Sequence, residues 1–357
     1  MHDATSGPAP DGSIALPAFA EPHAHLDKAF LAEQIENPTG DLMGAILALE
    51  ANRHRITLDD TIRRAERAAR LLAANGCTAI RTHADLVFSA DRTHAEQLMS
   101  VEALITVRER LRDLVEIQVV ALSGWPSIGQ RGAEQRALLR EAIAMGIDAV
   151  GGCPHLEDDP VAANEQFLAI AAEAGLPVDL HTDETLDPTR FALDDLSTRV
   201  VDSGFPHLVT ASHCVSLGVQ PAAVQQRVAE QVARAGIRVV ALPHTNLFLQ
   251  GRDHQTGMPR GLTAIRALRA AGVEVAAGGD NLQDPFNPVG RGDPLETAGL
   301  MIMAAHLLPD EALATVTTAA RSAMGLPLSG DRVLVPATTV REAIAFGPPG
   351  RTIQRAR

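Results

Sequence analysis

Short apolar runs alternate with longer segments of helical periodicity from residue 14 to beyond residue 300. The apolar runs have the length and composition of buried strands, and the longer segments repeat apolar residues three or four positions apart, as amphipathic helices do. The predicted strands are Ile14–Phe19, Cys77–His83, Glu116–Leu122, Asp148–Gly152, Pro177–His181, Leu208–His213, Arg238–Leu242 and Glu274–Asp280. The predicted helices are Leu58–Ala74, Arg92–Leu114, Gly132–Met145, Ala162–Ala174, Pro221–Ala235 and Gly261–Ala271.

This alternation predicts an α/β fold. Eight strands with intervening helices over about 300 residues is the count expected for a (β/α)8 TIM barrel. A doubly wound open sheet is the structural alternative, but it would place a glycine-rich nucleotide loop after its first strand, and the sequence has none there. We therefore predict a barrel over residues 13–325. Residues 326–357 are predicted to form an appendage packed on the barrel. Short strand-like pieces are expected in it at Arg332–Val335, Glu342–Phe346 and Thr352–Gln354.

Composition and net charge argue against several classes of protein. With 357 residues, of which 46% are hydrophobic, the chain can bury a large core. A formal net charge of −13 argues against nucleic acid as a partner, and no segment has the roughly 20 apolar residues that a membrane span needs. The N-terminal segment Met1–Asp11 lacks the basic and apolar regions of a secretory signal. Three widely spaced cysteines predict no disulfide framework. Together these features predict a cytoplasmic protein.

Candidate chemistry begins at the His-x-His pair formed by His23 and His25. Residues two apart in a strand point to the same face, so both imidazoles are expected to project together. Two converging imidazoles form half of a divalent metal site. The downstream strands support this interpretation, since histidine or aspartate recurs at or just after their ends: His83, His155, His181, His213, His244 and Asp280. Catalytic groups of a (β/α)8 barrel come from these carboxyl ends, so the sequence predicts a metalloenzyme.

The motifs at these strand ends resemble those of the amidohydrolase superfamily, specifically its cytosine-deaminase-like branch. The matching segments run in family order: Glu21-Pro-His-Ala-His-Leu-Asp-Lys28, Arg81-Thr-His-Ala-Asp85, His181-Thr-Asp-Glu184, Ala211-Ser-His213, Thr245-Asn-Leu-Phe-Leu-Gln-Gly-Arg252 and Gly279-Asp-Asn-Leu-Gln-Asp-Pro-Phe286. The resemblance covers roughly residues 14 to 325.

The resemblance implies one catalytic zinc or iron ion. Its ligands would be His23, His25, His181 and Asp280, and Asp280 would also take a proton from the attacking water. Glu184 would shuttle protons to the substrate, and His213 would stabilise the charge that develops on the attacking oxygen.

Whether a lysine is placed to bridge two metal ions bears on how many ions the site holds. Binuclear members of the superfamily often bridge two metals with a carboxylated lysine on strand 4, but the only lysine here is Lys28, after strand 1. A lysine bridge is excluded, and one metal is the better interpretation, although another bridging ligand stays open.

Five further residues are candidates for substrate binding: Trp125, His155, Asn281, Lys28 and His83. Each has a structural alternative, such as a loop anchor for Trp125, a helix cap for His155 or hydrogen bonding behind the ligands for His83. Similar cytosine deaminases carry a glutamine after strand 3, whereas this chain has Ala121-Leu-Ser-Gly-Trp-Pro126. Directly after Asp280 this chain has Asn281, where the family has aspartate. In this respect it resembles the relatives that act on N-substituted aminotriazines.

These features predict a metal-dependent hydrolase that deaminates an aminated nitrogen heterocycle related to cytosine, an aminotriazine or a pterin. The first alternative is a hydrolase that opens a cyclic amide or imide, and the second is a family member that binds a ligand without catalysis. The resemblance also implies a homo-oligomer. Since relatives carry a longer segment before strand 1, the resemblance implies that their β-sandwich is reduced or absent here.

Overall fold

The structure, a computed structural model, describes residues 7–8 and 12–356, so most of Met1–Asp11 lies outside the described residues. Its strands are β1 (Gly7–Pro8), β2 (Ile14–Pro17), β3 (Phe19–Ala24), β4 (Cys77–Leu86), β5 (Glu116–Ser123), β6 (Ala149–Gly152), β7 (Val178–Thr182), β8 (Val209–His213), β9 (Arg238–Ala241), β10 (Val275–Ala277), β11 (Arg332–Val335) and β12 (Thr352–Gln354).

The α-helices are α1 (Leu42–Asn52), α2 (Leu58–Ala74), α3 (His94–Leu111), α4 (Ala133–Ala144), α5 (Pro160–Ala174), α6 (Leu193–Ser203), α7 (Val215–Gly218), α8 (Ala222–Arg234), α9 (Pro243–Leu249), α10 (Ile265–Ala270), α11 (Pro294–Ala305), α12 (Pro309–Thr315), α13 (Thr318–Ala323) and α14 (Val340–Phe346). Two 3-10 helices cover Arg53–Arg55 and Pro154–Leu156.

Strands β3 to β10 form one parallel sheet of eight strands in chain order. The sheet closes through its first and last strands, because the amide of His25 donates to the Asp280 carbonyl at 3.1 Å and the amide of Asp280 donates to the His23 carbonyl at 3.0 Å. Helices alternate with these strands, which confirms the predicted (β/α)8 barrel. All eight carboxyl ends therefore meet at one rim.

The predicted first strand, Ile14–Phe19, is two strands in the structure. Residues Ile14–Pro17 form β2 of a small antiparallel sheet, and the barrel strand β3 begins at Phe19. The apolar run continues across the break, with Leu16 and Phe19 fully buried on either side of it, so hydrophobicity alone does not mark the break. As a result, His23 lies within the barrel strand and His25 follows its end.

Four strands, in the order β1–β2–β11–β12, form the small antiparallel sheet beside the barrel. The predicted strand-like pieces at Arg332–Val335 and Thr352–Gln354 are strands of this sheet. The piece predicted at Glu342–Phe346 is wrong, because Val340–Phe346 is the helix α14. The reason is local: the Thr339 side chain caps the helix by accepting from the amide of Glu342.

Helix α2 occupies its predicted range, and α3, α4, α5, α8 and α10 lie within theirs or close to them. Helix α1 was not predicted, because Leu42-Met-Gly-Ala-Ile-Leu-Ala-Leu-Glu is apolar all round and shows no helical stripe. Asp41 caps the start of this helix, since its side chain accepts from the Gly44 amide. Among the described residues, no helix combines the length and the apolar character needed to cross a membrane.

Candidate active site

Four histidines and one aspartate meet at the carboxyl rim of the barrel, and all five are buried. They lie in, or just after, four of the barrel strands, namely β3, β7, β8 and β10: His23, His25, His181, His213 and Asp280. The sets His23–His25–His181 and His23–His213–Asp280 each offer ligand atoms that all lie within 4.8 Å of one another. We call these five residues the ligand cluster.

The spacing within the ligand cluster fits a single metal ion. Nε2 of His25 lies 3.1 Å from Nε2 of His181 and 3.2 Å from Oδ1 of Asp280, and Nε2 of His23 lies 3.5 Å from the same oxygen. Ligand atoms about 2.1 Å from one tetrahedral ion lie roughly 3.4 Å apart. Within the described part of the chain, Nε2 of His23 and both carboxylate oxygens of Asp280 have no hydrogen-bond partner despite being buried. Buried lone pairs that face each other in this way suit a cation.

Two members of the ligand cluster have unusual backbone conformations. His213 has φ of 66° and Asp280 has φ of 61°, in the left-handed region that few residues other than glycine adopt. Such conformations persist where the surrounding structure enforces them, and they concentrate at functional sites. Here both residues stand at or just after a barrel strand end, where the turn aims their side chains at the ligand cluster.

A buried chain of hydrogen bonds supports His23 from behind. The Ser212 hydroxyl donates to Oδ1 of Asp179 at 3.1 Å and lies 2.9 Å from Nδ1 of His23. Because a hydroxyl has one proton and Ser212 gives it to Asp179, Nδ1 of His23 must carry the proton in that contact. This leaves the lone pair of Nε2 free for the ligand cluster. Arg81 completes the chain by donating to Oδ2 of Asp179 at 2.8 Å.

Glu184 and His213 lie side by side next to the ligand cluster. Burial, together with the nearby charge of Asp280, raises the pKa of Glu184 well above its ordinary value. Burial also lowers the pKa of His213 to about 4, so its imidazole is neutral at pH 7. Nδ1 of His213 lies 3.0 Å from the side-chain oxygen of Asn246, and Oε1 of Glu184 lies 3.5 Å from the same ring nitrogen. A protonated carboxylic acid beside a neutral imidazole suits proton transfer.

The ligand cluster opens into a cavity of about 330 Å³, a volume at the lower end of the range for small-molecule sites. Its floor is polar and buried, with His25, His181, Glu184, His213 and Asp280 all exposed by 5% or less. Its mouth is apolar and is formed largely by α1 and the segment around Trp125.

A chain of ion pairs fixes α1 to the barrel at the edge of this cavity. Lys28 donates to Oδ1 of Asp85 at 2.6 Å, and Arg53 donates to Oδ2 of Asp85 at 2.8 Å and to Oε1 of Glu50 at 2.5 Å. Arg92 in turn donates to Oε2 of Glu50 at 2.8 Å. The only lysine is therefore held in this network, and its Nζ also lies 3.1 Å from Nδ1 of His25.

Of the five residues predicted to bind substrate, four line the cavity: Lys28, Trp125, His155 and Asn281. Asn281 is engaged by its neighbours, since its amide oxygen accepts from Thr245 and its amide nitrogen donates to Asp284. His83 is not among the lining residues. It is fully buried beneath His23, with ring centroids 3.9 Å apart, and its Nε2 lies 3.5 Å from Asp179.

His155 has a defined tautomer. Its Nδ1 lies 3.0 Å from the carbonyl oxygen of His181, which can only accept, so Nδ1 carries the proton. Burial lowers the pKa of His155 to about 3, which keeps the ring neutral. Nε2 is therefore an acceptor, and within the described residues it has no hydrogen-bond partner.

Sequence reasoning missed Asp179, Ser212 and α1. A usable signal for Asp179 was present, because a charged residue inside the otherwise apolar run Val178-Asp-Leu-His181 needs a buried partner. Arg81, in the apolar run after Cys77, carries the same signal. The structure pairs these two charges across the barrel interior.

A (β/α)8 barrel with histidines and an aspartate gathered at its carboxyl rim is the arrangement of a metal-dependent hydrolase. The sequence model described as "Amidohydrolase family" matches residues 31–330. The chain belongs to the amidohydrolase family, and it is a metal-dependent enzyme that hydrolyses C–N bonds.

Similar proteins include several heterocycle-processing enzymes. A pterin deaminase from Rhizobium rhizogenes is 36% identical over 323 residues, which are 89% of this chain and 71% of that protein. The structure of 5-methylcytosine deaminase from Klebsiella pneumoniae with 5-fluorocytosine has a TM-score of 0.87 and 28% identity, covering 99% of this chain and 89% of that one. N-isopropylammelide isopropylaminohydrolase from Burkholderia multivorans has a TM-score of 0.78 and 30% identity, with 97% and 86% coverage.

Proposed function

We propose that this enzyme hydrolytically deaminates an aminated nitrogen heterocycle. The observation that carries the proposal is the position of Glu184 and His213, which lie 3.5 Å apart on the cavity floor beside the ligand cluster. Glu184 is a buried acid that the ligand cluster does not require, so its presence favours catalysis over simple binding. The pterin, 5-methylcytosine and N-isopropylammelide enzymes among the similar proteins support an aminated ring as substrate.

One divalent ion, zinc or iron, fits the ligand cluster, with His23, His25, His181 and Asp280 as its ligands. Neutral imidazoles and a carboxylate are ligands that both metals accept. When bound, the ion lowers the pKa of a coordinated water toward about 7 and so supplies a nucleophile at neutral pH. Asp280, whose buried carboxylate oxygens have no hydrogen-bond partner among the described residues, would accept one proton of the attacking water. Lys28 points into the ion-pair network with Asp85, which supports a single ion without a lysine bridge.

The side chains on the floor divide the remaining tasks. Glu184, held protonated by its raised pKa, donates its proton to a ring nitrogen. It then takes the second proton of the attacking water from the oxygen now bonded to the ring carbon, and passes that proton to the departing amine. His213 stabilises the charge that develops on the attacking oxygen by donating from Nε2. This role places the ring proton on Nε2, with the side-chain amide of Asn246 turned so that its nitrogen donates to Nδ1 of His213. His155 offers an acceptor at Nε2, which suits an N–H group on the substrate ring. Asn281 positions the loop after Asp280 through Thr245 and Asp284.

The division of the chain into a barrel, residues 13–325, and an appendage, residues 326–357, also stays a proposal. In the structure, β11 of the second range pairs with β2 of the first, so the appendage is held by main-chain hydrogen bonds to residues 14–17. Deleting residues 326–357 is expected to lower the melting temperature, and an unchanged value would contradict the division. Cytoplasmic location and association into a homo-oligomer remain predictions, and analytical ultracentrifugation of the purified protein tests the second.

The function is tested by following ammonia and amine release from protein loaded with zinc or with iron. The panel contains cytosine, isoguanine, pterins, creatinine-like rings and aminotriazines, and cyclic imides are followed by carboxylate production. Release of an amine from at least one ring is expected. Ring opening of an imide with no amine release from any compound would replace the proposal with a cyclic-amide hydrolase.

A further inference from the structure

The mouth of the cavity differs in chemistry from its floor. Helix α1 presents Leu42, Ile46 and Leu49 to the cavity, with Met43 and Leu47 beside them. The spacing of these residues, three or four apart, places them on one helix face. Trp125 and Leu156 face the cavity from other segments. We call Leu42, Met43, Ile46, Leu47, Trp125 and Leu156 the apolar wall.

Much of the apolar wall is open to water. The exposed fractions are 44% for Met43, 61% for Leu47 and 38% for Trp125. Large apolar side chains exposed singly are ordinary, but several lining one cavity mark a binding surface. The wall is continuous with the floor, since the same cavity is lined by Glu184 and His213. Its occupant is therefore part of the molecule whose ring reaches the floor.

The floor already supplies the polar contacts that a bare aminated ring needs. Glu184, His155 and the ligand cluster are all there, so a ring with no substituent would leave the apolar wall in water. Because Glu184 is the group that protonates the departing amine, that amine must also lie at the floor. A substituent on a ring atom away from that amine can then extend from the floor to the wall.

We propose that the natural substrate is an aminated heterocycle that bears an apolar ring substituent, distinct from the departing amine, and that the apolar wall binds this substituent. This inference rests on the proposed function and extends it to a substrate class. Ion pairs among Lys28, Asp85, Arg53 and Glu50 border the wall and hold α1 in place for this contact.

The test compares three aminotriazines. One has the unsubstituted ring, and the other two are isomers that carry a butyl group, either on a ring carbon or on the departing amine. The wild-type enzyme is expected to show kcat/KM at least about tenfold higher for the ring-butyl compound than for the bare ring, as burial of several methylenes implies. A ratio at or below one would overturn the proposal. A preference for the N-butyl isomer would overturn the placement of the substituent.

Matched variants locate the effect. Leu47→Asn is expected to lower the ratio of kcat/KM for ring-butyl over bare ring by about tenfold. Leu328→Asn is the control, because Leu328 is exposed by 63%, close to the 61% of Leu47, and does not line the cavity. It should leave both rates unchanged. An equal loss of both rates in Leu47→Asn would contradict the inference.

Failure of the proposed function is distinguishable from failure of this inference. If the wild type releases no amine from any ring, the deaminase proposal falls. Calorimetric titration with the hydroxylated ring products, with and without the butyl group, then still measures the contribution of the apolar wall. Equal dissociation constants for the two products would overturn the inference, and tighter binding of the butyl product, weakened by Leu47→Asn, would support it.

Discussion

The floor and the mouth of the cavity are built by opposite means. The floor consists of side chains at the ends of barrel strands, buried and fixed by hydrogen bonds such as those that support His23. The mouth consists of α1 and the segment around Trp125, where apolar side chains are partly exposed. From this contrast we infer two separate tasks: the barrel positions the groups that react, and segments added to its rim select the molecule that enters.

The largest effect is expected at the floor, from Glu184→Gln. The amide keeps the size of the side chain but cannot carry the proton, so kcat should fall by about 10³- to 10⁴-fold. Metal content, measured by atomic absorption, should stay at the wild-type level because Glu184 is a proton carrier and not a ligand. Rates near those of the wild type would remove Glu184 from the mechanism.

His181→Asn should also damage the floor, but by a different route. Loss of an imidazole ligand is expected to weaken metal binding by more than about 100-fold, with activity falling in parallel. Competition with a coloured chelator gives the metal dissociation constant. The matched comparison is Glu184→Gln, which should lose activity alone. Full metal occupancy in His181→Asn would mean that the ligand set is misassigned.

A smaller effect is expected one layer behind the ligands, from Ser212→Ala. Without the hydroxyl, Nδ1 of His23 loses its acceptor, and the tautomer that leaves Nε2 free is no longer favoured. Metal affinity should fall by about tenfold. Ser212→Thr restores a hydroxyl and is expected to recover part of the affinity. If Ser212→Ala binds the metal as tightly as the wild type, the hydrogen-bond chain does not orient His23.

The smallest effect is expected at the edge of the mouth, from Arg53→Gln. This change breaks the ion pairs that join Arg53 to Glu50 of α1 and to Asp85 of β4, which are partly exposed and so contribute modestly. We expect KM to rise by about fivefold or less while kcat is unchanged. Arg63→Gln, which removes an exposed ion pair on α2, is the control. A fall in kcat as large as that in Glu184→Gln would erase the distinction between floor and mouth.

The barrel and its ligand cluster could be predicted from the sequence, for a physical reason. Alternation of apolar runs and helical segments reports burial directly, and carboxyl ends of parallel strands must share one rim. His181 and His213 could therefore be assigned to one site although their strands are separate in the chain. The break after Pro17 could not be predicted, because the apolar run Ile14–Phe19 continues through it and places a fully buried residue on each side, Leu16 and Phe19.

Partnerships across the barrel were harder to predict than positions along it. That Asp179 accepts from Ser212 and Arg81 depends on which side chains turn inward and how far they reach, which periodicity does not encode. Helix α1 escaped prediction because its residues are apolar on both the cavity side and the packed side. Both failures concern contacts between segments distant in the chain.

The joining of His23, His25 and Asp280 through main-chain hydrogen bonds has a consequence for biosynthesis. These residues are separated by more than two hundred positions, yet one edge of the site is made only when they meet. A growing polypeptide holds most of its barrel before the ribosome has released this last strand. The complete ligand cluster therefore cannot form until residue 280 has been synthesised and has reached the first strand.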